Sequence, residues 1–253
     1  MRKSKIVILV FIFLYFINNL FARDFILGDI SDRNISITAS FTGANIIIYG
    51  SIDPKIYNYN NIYITVVGPK TNLKLRKKSK ILGLWVLEKK YINIDNLPSY
   101  YAIASNANSN NFSGSTFKIN EIGWENVNLD FPQYNSVKEK QFYFNILKDL
   151  YLDKKLYVSK LSKINVIRDT LFRSEFELPA TALVGSYEVN MFLISKEGKE
   201  LIAIWSDNIS VTKQGISAKL FDFSKNYSFL YGIFAAIGAI LVGFFASEIF
   251  RRL

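Results

Sequence analysis

Short runs of alternating apolar and polar residues, broken at regular intervals by turn residues, fill most of the first hundred positions. Ile35, Ile37 and Ala39 alternate with Ser36, Thr38 and Ser40, the period of a strand with one buried face. β-branched and aromatic residues gather at positions 25–27, 45–50 and 62–67. Gly28-Asp29, positions 42–45, Asp53-Pro54 and Gly68-Pro69 punctuate them. Leu73, Leu75, Leu82, Leu84 and Val86 continue the meander, and Ile92, Ile94 and positions 100–104 read as two closing strands. Closely spaced strands with few helices between them predict a β-sandwich.

Past Asn106 the rhythm changes. Positions 106–114 are rich in Asn and Ser and read as a loop, and Phe117, Ile119, Ile122, Trp124 and Val127 suit short helical turns. Positions 136–152 predict a longer helix, with Phe142, Ile146, Leu147 and Leu150 on its apolar stripe. Ser136 stands at its N-cap, with Glu139 completing a capping box. This helix is expected to cover one face or end of the sandwich. Strand rhythm then returns. Positions 171–178 alternate over eight residues until Pro179, which cannot donate to a ladder. A strand at 185–194, a hairpin loop at Lys196-Glu197-Gly198-Lys199 and a returning strand at 201–211 follow. Strand, proline, Gly-x-Tyr-x-Val, hairpin and strand is the closing order of many immunoglobulin-like domains. Two β-rich parts thus flank a helical segment, either as two small sandwiches or as one sandwich with a helical insertion. The expected fold is mainly β, with immunoglobulin-like β-sandwich regions, a helical segment between them and one C-terminal transmembrane helix.

Both ends are apolar. Positions 228–247 hold no charge, and at about 1.5 Å per helical residue they cover roughly the 30 Å hydrocarbon core of a bilayer. Glu248 and Arg251-Arg252 follow. At the other end, Arg2, Lys3 and Lys5 precede an apolar run at positions 6–20, with Ala22 as a small residue before a cut. The expected divisions are a signal peptide at 1–22, a β-sandwich region at 23–105 and a loop and helical segment at 106–156. A second β-rich region at 157–214, a juxtamembrane stretch at 215–226, a transmembrane helix at 227–250 and a cytoplasmic tail at 251–253 complete the chain. The expected address is the bacterial inner membrane, single-pass, with the main domain periplasmic and the C-terminus cytoplasmic.

The formal charge is +10, which invites a nucleic-acid reading. Setting aside Arg2, Lys3 and Lys5 with the leader, and Arg251, Arg252 and Glu248 with the tail, lowers it to +6. A diffuse charge of that size on an exported domain serves solubility, and no nucleic-acid partner is expected. Cys and His are both absent. The domain therefore relies on packing and not on disulfides. Ser-His-Asp and Cys-His catalysis, His-ligated zinc and dithiol redox chemistry are also excluded. Carboxylate-only chemistry survives in principle, through Glu121 with Glu125 or Glu175 with Glu177. Asp29, Ser31, Asp32 and Asp53 could supply oxygen ligands to a hard cation, although turns account for such residues without one. No catalytic, cofactor or metal site is expected.

Two features hold more promise. Lys70, Lys74, Arg76, Lys77, Lys78 and Lys80 form the densest charge cluster. It is a candidate patch for small anions or lipid headgroups, or else a hairpin edge whose lysines block strand pairing. Ala235, Ala239, Gly243 and Ser247 fall four apart and make a small-residue stripe, a candidate helix–helix interface for a second copy or a membrane-protein partner. Tyr100, Tyr101, Trp85 and Trp124 could form a stacking surface, with core packing the plainer fate.

Several segments resemble one family in order. They are Gly28-Asp29-Ile30-Ser31, Ile35-Ser36-Ile37-Thr38, Phe41-Thr42-Gly43-Ala44, Ile48-Tyr49-Gly50, Gly68-Pro69 and Gly83-Leu84-Trp85-Val86. The long match Leu97-Pro98-Ser99-Tyr100-Tyr101-Ala102-Ile103-Ala104-Ser105 follows. Leu171-Phe172-Arg173, Leu178-Pro179, Gly185-Ser186-Tyr187 and Phe221-Asp222-Phe223 close the series. Their order resembles a family of alphaproteobacterial predicted transmembrane proteins of roughly this length. The resemblance implies an envelope address and brings no catalytic residue with it. The family's genes stand beside a sulfite/organosulfonate exporter-type permease, which implies an accessory role and a permease as candidate partner. The expected function is thus a membrane-anchored, non-enzymatic accessory or interaction module of an envelope or transport system. The alternative is a periplasmic protein that binds a small sulfite- or sulfonate-like anion.

Overall fold

The computed structural model of the chain describes residues 25–81, 83–107, 112–133, 136–158 and 162–252. The expected signal peptide at 1–22 and the strand residue Leu82 lie outside them. The described chain is mainly β. In order it runs β1 (Ile26–Ile30), β2 (Asn34–Ile37), β3 (Gly43–Ile52), α1 (Pro54–Tyr57), β4 (Asn60–Val67), β5 (Lys70–Ile81), β6 (Leu84–Pro98) and β7 (Tyr101–Ser105). Next come α2 (Ser115–Ile119), a 3₁₀ turn (Trp124–Asn126), α3 (Val137–Asp153), β8 (Ser162–Lys163), β9 (Asn165–Ile167), β10 (Leu171–Pro179), β11 (Gly185–Ser195) and β12 (Leu201–Lys213). Two helices, α4 (Ile216–Asn226) and α5 (Ser228–Arg252), end the chain.

Three sheets form. One has the order β1-β3-β10-β9, a second β2-β12-β11-β4-β7-β8, and the third is the pair β5-β6. Strands from before and after the helical segment therefore pair within the same two sheets, the arrangement of one sandwich with a helical insertion. The period of two decides the packing. On β10, Phe172, Ser174, Phe176 and Leu178 are buried while Leu171, Arg173, Glu175 and Glu177 are exposed. Those buried rings meet Ile46 and Ile48 of β3 and, from the facing sheet, Ile62, Ile64, Tyr187 and Met191. Gly50 permits this contact. A Cβ there would collide with the Leu27 carbonyl and with the Phe172 ring.

The six-stranded sheet is buried on both faces along β4, β7 and the second half of β11. Its odd-numbered Tyr63, Tyr101 and Ile103, with Phe192 and Ile194, point away from the first core into a second one. The helical segment closes that second core with Phe117, Ile122, Trp124, Leu147 and Tyr151. Tyr101 pins the layer in place. Its hydroxyl donates to the Glu121 carbonyl at 2.8 Å and accepts from the Gly123 N–H at 2.8 Å. Glu121 and Gly123 both adopt positive φ (52° and 94°), which turns their peptide groups toward that hydroxyl.

Three expectations need correction. The buried seam of α3 is Leu147 and Tyr151, with Tyr143 and Phe144 partly buried. Phe142, Ile146 and Leu150, expected inside, are exposed at 60, 38 and 36%. The reason is the aromatic floor of the second core, where the Tyr157 ring lies 4.6 Å from Tyr151 and 3.9 Å from Trp124 and so selects the tyrosine edge of the helix. Ser136 occupies the N-cap position in extended geometry, but its side chain makes no capping bond. Finally, positions 70–98 do not continue the sandwich meander. They pair with each other as β5 and β6, and outside that pair Asp95 bridges to Asp130.

Candidate functional site

The β5–β6 pair grows out of the sandwich as an arm. Gly68 donates to the Tyr100 carbonyl at 2.8 Å and Ser99 to the Pro69 carbonyl at 3.0 Å, so the β4–β7 ladder runs on into Lys70↔Pro98 and Thr71↔Leu97. The root is packed. Ile94 and Leu97 are fully buried, and Leu73, Leu75 and Ile92 lie against the second core. Asp95 and Asp130 exchange both backbone hydrogen bonds, at 2.9 and 3.1 Å, and Asn93 donates to Gln133 at 3.0 Å. Beyond Arg76↔Tyr91 the register shifts, with Lys78 next opposite Leu87.

The six basic residues expected to form a patch all lie on β5. Lys70 sits at the root. Lys74 and Arg76 share the Tyr91 ring, with the ammonium 5.1 Å and the guanidinium 5.6 Å from its centroid. Lys77, Lys78 and Lys80 are exposed farther out. They are strung along one strand. Of the partner strand, Trp85 alone was anticipated, in the stacking surface. Leu84, Trp85, Val86 and Leu87 are 71, 70, 43 and 52% exposed. Lys80 stands opposite Trp85 and Lys78 opposite Leu87, so charge and apolar surface share one face of the outer arm. The visible signal was a contiguous apolar run directly across from a contiguous basic one.

The stacking surface considered for Tyr100, Tyr101, Trp85 and Trp124 does not assemble. Tyr100 lies between the sheets, Tyr101 and Trp124 lie in the second core, and Trp85 is on the arm. Four of the acidic candidates are engaged locally. Asp29 takes Arg33 at 2.6 Å and Tyr49 at 3.0 Å, and Arg33 also reaches Asp207 at 2.9 Å, tying β1 to β12. The Ile30 N–H, then Arg33 and Tyr49, hold the Asp29 carboxyl below its ordinary range. Asp53 caps α1 through the Lys55 N–H at 2.9 Å. Glu175 pairs with Arg173 at 2.6 Å and Glu125 with Lys148 at 3.6 Å.

An open groove of about 640 Å³ lies near the start of β4, between Asn60, Asn61, Asn106 and Lys196. Its amides serve the fold. Asn106 accepts from the Ile62 N–H at 2.7 Å and donates to Tyr57 at 3.3 Å, and Asn60 donates to the Ile56 carbonyl at 2.7 Å.

Among the described residues one helix, α5, is long and apolar enough to cross a membrane, and none of its apolar window is buried. Ala235, Ala239, Gly243 and Ser247 are all exposed along it, and a Cβ at Gly243 would meet nothing. Glu248 and Arg251 pair at 2.8 Å near its end. The family model described as "Putative transmembrane protein" (Alph_Pro_TM) matches residues 26–252. No curated protein matches the chain.

Proposed function

The chain belongs to this transmembrane family, and we propose that it is a single-pass protein of a bacterial inner membrane. Its sandwich faces the periplasm, its C-terminus faces the cytoplasm, and it works as a non-enzymatic interaction module of an envelope or transport system. The carrying observation is α5, apolar on every side and free of any packing role in the sandwich. Arg251 at its far end supports the orientation, since basic residues favour the cytoplasmic side. The filled cores and the structurally engaged groove amides support a binding role over catalysis. The order β1-β3-β10-β9 against β2-β12-β11-β4 supports an immunoglobulin-like sandwich. So does the Tyr187 hydroxyl, which donates to the Leu183 carbonyl at 2.8 Å as a tyrosine corner. Small-anion binding is the weaker reading, because the basic side chains follow a ribbon and do not converge.

Two measurements test this reading. Protease added to spheroplasts should digest the sandwich while sparing α5; digestion only after lysis would overturn the orientation. Purification from mild detergent should bring a membrane protein with the native chain, and Ala239→Leu with Gly243→Leu should lose it. A chain that purifies alone would remove the interaction role.

A further inference from the structure

The anchor is not the only membrane-directed element. β4 and β12 both pair antiparallel with β11, so they run toward the same end of the sandwich. There Val67 stands opposite Glu188, Val211 stands opposite Gly185, and a Cβ at Gly185 would press on Pro69. The arm and the C-terminal connection therefore leave from one place. Lys213, the last residue of β12, rests its ammonium 4.2 Å from the centroid of the Phe221 ring in α4. The eleven residues of α4 span about 16 Å. The twelve residues of β5 span about 40 Å. The arm thus projects from the end of the sandwich that the C-terminal helices leave.

Resting on the anchored reading above, we propose that the β5–β6 arm is a second membrane contact, its tip at residues 84–87 seated in the bilayer interface and its basic row at residues 74–80 holding anionic phospholipid headgroups. Three features favour lipid over an acidic protein groove. Among the described residues no carboxylate forms an ion pair with the basic row, so its charge is available. Lys74, Arg76, Lys78 and Lys80 fall at alternate positions on one face of β5, in line with the apolar tip, as aliphatic stems and an aromatic ring arrange themselves at a headgroup boundary. The root is fixed by Ile94, Leu97 and the Asp95–Asp130 pair, so the anchor presents the tip to the membrane at high effective concentration.

The chain has no cysteine, so one introduced thiol is unique. Leu84→Cys, at a 71% exposed position, carries an environment-sensitive fluorophore without entering a core. Tyr59→Cys, 75% exposed just before β4 at the opposite end, is the control, and Val242→Cys in α5 reports the anchor. The full chain is reconstituted in bilayers of phosphatidylcholine alone or mixed with phosphatidylglycerol. Labels are then quenched by lipid-borne nitroxide or by aqueous iodide. In the anionic bilayer, the label at position 84 should be quenched by nitroxide and shielded from iodide, and the control should behave oppositely. Changing Lys74, Arg76, Lys77, Lys78 and Lys80 to Gln should weaken tip insertion by well over a hundredfold at low salt, since headgroup attraction of roughly fivefold per basic side chain compounds to about 3000-fold over the five. A tip label as open to iodide as the control overturns the proposal, as does shielding that appears in native membranes but not in pure lipid, which would point to a protein partner. If the label at 242 is buried while the tip stays wet, only the arm inference fails. If both are wet, the anchor reading falls with it.

Discussion

Replacing Tyr101 by Phe should melt the helical layer off the six-stranded sheet. The ring would remain, packed 5.3 Å from Trp124 and 6.3 Å from Tyr157, so no cavity forms. What disappears is one oxygen that both accepts from Gly123 and donates to Glu121. Tyr101 is 1% exposed, so water does not readily replace it. Leaving a buried donor or acceptor unsatisfied costs about 1–3 kcal/mol each, which gives roughly 2–6 kcal/mol for the pair. For a domain of this size that corresponds to a fall in Tm of roughly 4–24 °C. The measurement is a thermal melt of the full chain in mild detergent, followed by tryptophan emission, with Trp124 inside the affected cluster. Tyr151→Phe is the comparison. Its ring packs 4.6 Å from Tyr157, but its hydroxyl bonds no described residue, so it should melt near the native temperature. Equal melting of native chain and Tyr101→Phe would show that the hydroxyl does not hold the layer.

Gly50→Ala should destabilise the sandwich by about 1–3 kcal/mol, as overpacking does, because its Cβ collides with the Leu27 carbonyl and comes 2.5 Å from the Phe172 ring; Gly83→Ala, where a Cβ meets nothing but φ is +85°, should show only the smaller backbone effect in the same melt. Alkaline pH should unfold the domain cooperatively. Burial pushes the Tyr100, Tyr101 and Tyr157 phenols up from the usual 10.0. Protons are thus held more tightly in the folded state, and the stability present below pH 10 is lost as pH rises past it. The final rise in tyrosinate absorbance at 295 nm, from the buried rings, should come in step with loss of the β signal. Ionisation of these phenols without unfolding would refute their burial.

How much of this fold was legible depended on whether a strand had one buried face or two. β10 could be read residue by residue, since alternation of Phe172, Phe176 and Leu178 with Arg173, Glu175 and Glu177 has one structural solution. In β4, Ile62 to Val66 are all buried, because two cores use opposite faces. A continuous apolar run identifies such a strand but hides which layer each side chain meets. The helix α3 failed for a related reason. Helical spacing offered several apolar stripes, and only the aromatic floor of Tyr101, Trp124 and Tyr157 decided that Leu147 and Tyr151 face inward. That floor assembles from three segments distant in sequence.

The arm was misread because a sandwich strand and a free ribbon have the same period. Leu73 and Leu75 do face a core, and their pattern extends without a break into positions where no core exists. The distinguishing information lies across the ribbon. In a sandwich, Lys78 and Lys80 would face solvent while their cross-strand neighbours on the same face were polar too. Here those neighbours are Leu87 and Trp85. Such a face suits neither water nor a dry interior, whereas an interface with an apolar side and an anionic side satisfies both kinds of residue at once. The small-residue stripe on α5 is legible in sequence yet has no covering surface among the described residues. The arm differs because topology supplies its context. Its root shares an end of the sandwich with the connection to α5, the helix that the bilayer solvates.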